Sequence, residues 1–123
     1  MENGQVMKMI ESYKYEGEDF KVVMSYEGWR IGILRNSERF SASDHIWERH
    51  LLTDEAFILL SGAAVLFAKD DGGKIEKVEM KPCTVYNIRK NLWHHIIVAD
   101  EKTTVLVVEN SNTSHSNTEK VMP

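Results

Sequence analysis

Between residues 20 and 109 the chain is a series of short apolar-rich runs, several of them alternating with polar residues, separated by turn formers. Successive side chains on a strand point to opposite faces, so each run predicts a strand with one face in a core. Phe20, Val22, Met24 and Tyr26 alternate in the first run, and Trp29, Ile31 and Ile33 share a face in the second. Glu27-Gly28 between them reads as a turn, and Gly32 marks a bulge or a close backbone approach. Residues 36–44 are polar and serine-bearing, which predicts a loop or a short helical excursion. Strands are expected at 45–50, 56–60 and 63–68. Asp70-Asp71-Gly72-Gly73 is the strongest hairpin signal, because these residues accept positive φ cheaply. It leads into 74–80, whose alternation predicts a half-exposed antiparallel strand. Strands at 84–88, 92–99 and 103–109 complete the set, with turns at Lys81-Pro82-Cys83, Arg89-Lys90-Asn91 and Asp100-Glu101-Lys102. Met7, Met9, Ile10 and Tyr13 fit a strand or a helical turn equally, while residues 110–123 read as a polar, exposed and partly mobile tail.

Many short strands with brief connections predict an all-β sandwich or barrel of antiparallel strands. A length of 123 residues fits one domain, 1–123, with its core at about 20–109. Hydrophobic residues at 42% and charged residues at 28% match a soluble globular chain. The net charge of −4 gives no basic stripe for phosphates, which argues against nucleic acid. Cys83 is the only cysteine, so no intrachain disulfide forms. The first residues lack the charged and apolar regions of a secretory signal, and no apolar run approaches the roughly 20 residues of a membrane span. These features predict a cytoplasmic protein without a membrane partner.

Potential metal ligands gather at Glu48, His50 and Glu55. Glu48 and His50 are two apart on an expected strand and project together. A short turn through Leu51-Leu52-Thr53-Asp54 can bring Glu55 back beside them. His94 and His95 are adjacent, so only one can share a given face.

The spacing of these residues resembles the cupins. In the first cupin motif two histidines, one residue apart, precede a glutamate, and six residues separate that glutamate from a glycine. Here His50, Glu55 and Gly62 fit, and Glu48 stands where the first histidine would be. The second motif is similar to the stretch from Cys83 to His94. Cys83 and Asn91 occupy its glycine positions, Arg89 its proline, His94 its histidine and Val98 its final asparagine. The resemblance implies a double-stranded β-helix (jelly-roll) barrel, commonly homodimeric, with a polar pocket inside. It also implies His94 as the pocket histidine, leaving His95 at the surface or an interface.

On that reading His50, His94, Glu48 and Glu55 are the expected metal ligands. Two imidazoles with one or two carboxylates suit a divalent transition metal such as Mn, Fe, Ni or Zn. Glu48 and Tyr86 are the catalytic candidates, by proton transfer or hydrogen bonding. Phe57 and Leu59 share the parity of Glu55 and form the pocket floor or plain core; Trp47 and Trp93 have the opposite parity to Glu48 and His94. Cys83 reads as inert, Arg30, Arg49 and Arg89 as solvated surface, His45 as structural and His115 as part of the solvated tail. Three functions fit: a metal-dependent isomerase, lyase or dioxygenase acting on a small polar metabolite, a non-catalytic small-molecule-binding module, or a metal-free sugar epimerase or isomerase.

Overall fold

The structure, a computed structural model, describes residues 9–41 and 46–121. His45 and Met7 lie outside the described residues. The ten strands are β1 (Phe20–Tyr26), β2 (Trp29–Arg35), β3 (Trp47–His50), β4 (Glu55–Ser61), β5 (Ala64–Lys69), β6 (Ile75–Glu79), β7 (Val85–Ile88), β8 (Trp93–Val98), β9 (Thr104–Asn110) and β10 (Thr118–Val121). A short helix, α1 (Glu38–Ser41), follows β2, and a 3-10 turn spans His115–Asn117. The strands form two five-stranded sheets, ordered β1-β2-β9-β4-β7 and β10-β3-β8-β5-β6. Every strand pairing is antiparallel. From β2 onward the chain changes sheet at every connection except the β5–β6 hairpin. That is the jelly-roll path, and its two apolar faces close on one core.

The core follows from strand alternation. Phe57 and Leu59 on β4 and Val105 and Val107 on β9 face Ala64 and Leu66 on β5 and Ile96 and Val98 on β8. Leu34, Met80 and Ile88 complete the cluster. On β2 the residues that reach the barrel are Arg30 and Leu34, of opposite parity to Trp29, Ile31 and Ile33. Trp29 is 43% exposed. The most apolar face of that strand is thus not its inner one. Gly32 leaves space for the Phe20 ring, which lies against it.

β6 is more exposed than its alternation suggests, because it is a sheet edge. The expectation of a mobile tail is corrected at its end: β10 pairs with β3 from Thr118↔His50 to Val121↔Trp47. Two of its residues, Thr118 and Lys120, line the polar cavity described below, so the strand carries no apolar inner face to announce it. Among the described residues no helix is long and apolar enough to cross a membrane.

The three positions aligned with cupin glycines all have left-handed backbone: Gly62 at φ +80°, Cys83 at +60° and Asn91 at +72°. At Gly62 a Cβ would also fall 2.5 Å from Thr103 Cα, which excludes any side chain. Asn tolerates this region, whereas Cys pays a steric cost of about 1–2 kcal/mol there. Cys83 is exposed and gains no burial in return. Cys83→Gly is therefore expected to stabilise the protein by about 0.5–1 kcal/mol, after the greater unfolded-state entropy of glycine is subtracted. Urea denaturation of the two proteins checks this.

Candidate metal centre

His50 ends β3, Glu55 begins β4 and His94 lies near the start of β8. The crossings between sheets bring these three strand ends to one end of the barrel. Glu55 Oε1 lies 3.1 Å from His50 Nε2 and 2.9 Å from His94 Nε2. One ligand atom from each residue falls within 4.8 Å of the others, and all three side chains are buried.

The loops that deliver these residues are strapped together. The Asn91 N–H donates to the His50 carbonyl at 2.9 Å. Asp54 accepts from the Asn87 side-chain amide at 3.0 Å and from the Lys90 N–H at 2.9 Å. These two contacts, the Asn87 amide first, hold the Asp54 carboxyl below its usual range. The turn ahead of His94 is thereby fixed to both ends of the connection between His50 and Glu55.

The outer ring nitrogens are also held. His50 Nδ1 lies 2.9 Å from Thr118 Oγ1, and His94 Nδ1 lies 3.4 Å from the Leu92 carbonyl oxygen. A carbonyl only accepts, so this contact is made in the tautomer that carries a proton on Nδ1. Glu55 Oε1 is buried with no aligned hydrogen bond despite its two close nitrogens. Three converging ligand atoms suit a cation, and the donor set of two imidazoles and a carboxylate fits a divalent first-row metal. Fixing Nδ1 so that Nε2 faces inward is the usual way a protein orients such ligands.

Glu109 on β9 is a neighbour the sequence reading passed over. Arg30, Glu109 and Glu55 sit directly opposite one another across β2, β9 and β4. Arg30 Nε donates to Glu109 Oε2 at 2.7 Å. Burial, then the adjacent Glu55 carboxylate, pushes the Glu109 carboxyl up to about 7 against the opposing pull of Arg30. Burial also disfavours the charged form of Glu55, but the His50 and His94 contacts outweigh it and hold that carboxyl well below the usual range. For His50, burial alone would lower the pKa, yet Glu55 raises it above the ordinary imidazole value. The signal for Glu109 was its parity: Val105, Val107 and Glu109 form one buried face of β9.

A cavity of about 600 Å³ opens beside these groups, with Arg30, Glu48, His50, Glu55, His94 and Glu109 in its wall. Glu48 stands apart from the triad. Its Oε2 lies 3.9 Å from Arg39 and 3.8 Å from Lys120, and its carboxylate is outside the group whose ligand atoms converge within 4.8 Å. Tyr86 is not in the cavity wall. Its hydroxyl accepts the Lys81 N–H at 2.9 Å, and its ring packs on the core cluster. Phe57 both lines the cavity and joins the core, while Leu59 is core alone. His95 is buried rather than on the surface, because Trp47 and Phe67 flank its ring at centroid distances of 4.4 Å each. Arg30 is half-buried in the cavity wall, contrary to a solvated reading, because Glu109 neutralises it. Arg89 is exposed, and Arg49 lies over the Trp93 ring with Glu119 and Asp71 as ion partners.

This two-sheet jelly roll is the fold seen in solved cupin structures. No family model matches the chain, and no curated protein matches it by sequence. Solved structures do match. The sugar 3,4-ketoisomerase QdtA of Thermoanaerobacterium thermosaccharolyticum, in complex with TDP-4-keto-6-deoxyglucose, aligns at 14% identity over 73% of this chain, with a TM-score of 0.63. The chain spans 64% of that protein's length. Oxalate decarboxylase of Bacillus subtilis aligns at 17% identity over 77% of this chain and 24% of its own, with a TM-score of 0.63. A cupin-2 domain protein of Shewanella frigidimarina aligns at 17% identity over 75% of this chain and 79% of its own, with a TM-score of 0.57. At these identities the likeness establishes the fold.

Proposed function

We propose that this chain is a metal-binding cupin that acts on a small metabolite inside its barrel, with His50, Glu55 and His94 as ligands to one divalent first-row ion. The observation that carries the reading is the Glu55 oxygen, buried within 3.1 Å of two Nε2 atoms yet without an aligned hydrogen bond. A bound ion of this class supplies Lewis-acid polarisation of a carbonyl or hydroxyl, and three protein ligands leave positions open. The chain's own residues do the rest. Thr118 and the Leu92 carbonyl orient the two rings, and the Asp54 contacts hold the loops in place. Glu48 and Glu109 are carboxyl groups in the cavity wall outside the ligand set, placed to accept or return a proton at a bound molecule. Isomerase, lyase and dioxygenase chemistry can each be built on this combination.

Protein purified without chelator is expected to carry close to one equivalent of transition metal by elemental analysis, and His50→Ala with His94→Ala to carry none. Metal-free protein whose melting temperature and ligand binding ignored added Mn, Ni, Zn and anaerobic Fe(II) would sink the proposal. A second reading is a metal-free sugar isomerase in which the same His–Glu–His cluster relays protons; the fold shared with a 3,4-ketoisomerase favours it. Turnover of a sugar that survives exhaustive chelation would select that reading, and saturable binding without turnover would select a binding module.

A further inference from the structure

The inner face of the barrel changes character in step on four strands. Reading inward from the metal-centre end, β4 presents Glu55, Phe57 and Leu59, and β9 presents Glu109, Val107 and Val105. β8 presents His94, Ile96 and Val98, and β2 presents Arg30, Gly32 and Leu34. Each strand gives one polar or charged residue and then turns apolar. The cavity spans this boundary, because Leu34, Phe57, Ile96 and Val107 line it together with the polar tier.

Two aromatic rings extend the apolar side. Phe20 reaches the cavity at Gly32, where the missing side chain makes room for its ring. Phe40, on α1, is half-buried against the core cluster and also lines the cavity. A volume of about 600 Å³ is in the range of small-molecule sites. A ligand that was polar all over would leave this wall facing water or unsatisfied polar atoms, at a cost in affinity.

The polar tier favours a negative head group. Arg30 is matched by Glu109, Arg39 by Asp19 at 2.7 Å, and Lys120 by Glu48. Glu55 is then the one carboxylate left to face a divalent ion, which leaves positive charge over for a ligand. We propose that the cavity takes a small amphiphilic acid, with its carboxylate or 2-oxo acid head at the polar tier and an aromatic or branched apolar body against Phe20, Leu34, Phe40, Phe57, Ile96 and Val107. The choice of head group rests on the proposed metal centre; the apolar body rests on the wall alone.

The test is calorimetric titration of the full-length protein, its metal content measured beforehand, with pyruvate, phenylpyruvate and glucose as probes. Phenylpyruvate is expected to bind about tenfold or more tighter than pyruvate, since a buried ring adds at least as much as the methylene groups that give such ratios in apolar pockets. Phe40→Ala should erase most of that preference by weakening phenylpyruvate far more than pyruvate, and Phe40→Leu should keep part of it. Equal affinity for the two acids, tighter binding of glucose, or no binding of either acid to metal-loaded protein overturns the inference. Protein that takes up no metal yet still prefers phenylpyruvate defeats the metal centre and leaves the apolar body standing. Metal-loaded protein that shows no preference does the reverse.

Discussion

Arg30→Met is expected to destabilise the metal-free protein by about 1.5 kcal/mol at pH 8, the low end for a hydrogen bond to a charged group, and by less at pH 5, where Glu109 keeps a proton. The reason lies in the cross-strand row Arg30, Glu109, Glu55. Two carboxyl groups opposite each other on neighbouring strands repel when both are ionised. The Glu109 side chain is 4% exposed and has little access to water for relief, while Arg30, at 23%, can stretch toward solvent. Deleting the guanidinium therefore strands a buried acid beside a second one. Deleting the acid leaves a cation that can still be hydrated, so Glu109→Gln should cost less than Arg30→Met. The double variant Arg30→Met/Glu109→Gln should recover most of the loss, which an additive pair of unrelated sites would not do. Urea denaturation of the four proteins measures it. A double variant as unstable as the sum of the singles would show that Arg30 acts through packing and not through Glu109. Bound metal should shrink the effect of Arg30→Met, because a cation on Glu55 removes part of the repulsion that Arg30 offsets.

The two-sheet fold was legible because most strands have one apolar face. β4, β5, β8 and β9 are short apolar-rich runs bounded by turns, and their inner residues form the core cluster. Legibility failed where a strand faces the cavity. On β10 the residues that line it, Thr118 and Lys120, are polar, so hydrophobic pattern reads the strand as tail. On β2 the inner row begins with an arginine and includes a glycine, so the apolar row Trp29, Ile31 and Ile33 gives the opposite face. The ligand residues could be found because His50, Glu55 and Gly62 keep a fixed spacing on two successive strands. Glu48 shows the limit of spacing. Parity places it on the cavity side with His50, but the cations Arg39 and Lys120 come from α1 and β10, which spacing does not reveal. Glu109 was hidden for a related reason. One acid at the end of an apolar strand looks like a solvated terminus until the register sets it against Glu55.

The same charge row fixes how stability should depend on pH, and metal should alter that dependence. Glu109 is raised from an ordinary value of 4.5 to about 7, so the folded metal-free protein keeps a proton that the unfolded chain has released. That contribution is full below 4.5 and is lost as pH rises through about 7. His50 is raised above its ordinary 6.5 and acts in the same direction, with its contribution lost as pH rises through the folded value. Glu55 is depressed below 4.5, so its contribution is present above 4.5 and is lost as pH falls through its folded value. Metal-free protein should therefore be most stable near pH 5 and should weaken toward pH 8, at no more than about 1.4 kcal/mol per pH unit for each proton. A metal ion must displace protons from its ligands, so its stabilisation grows over the same interval and reaches about 2.7 kcal/mol when free metal is a hundred times Kd. Melting curves with chelator and with excess Mn, Ni or Zn should diverge steadily from pH 5 to pH 8, with the metal-loaded protein melting higher. Curves that stayed parallel would mean that the added ion binds elsewhere, because protons at Glu55 and His50 would not be competing with it.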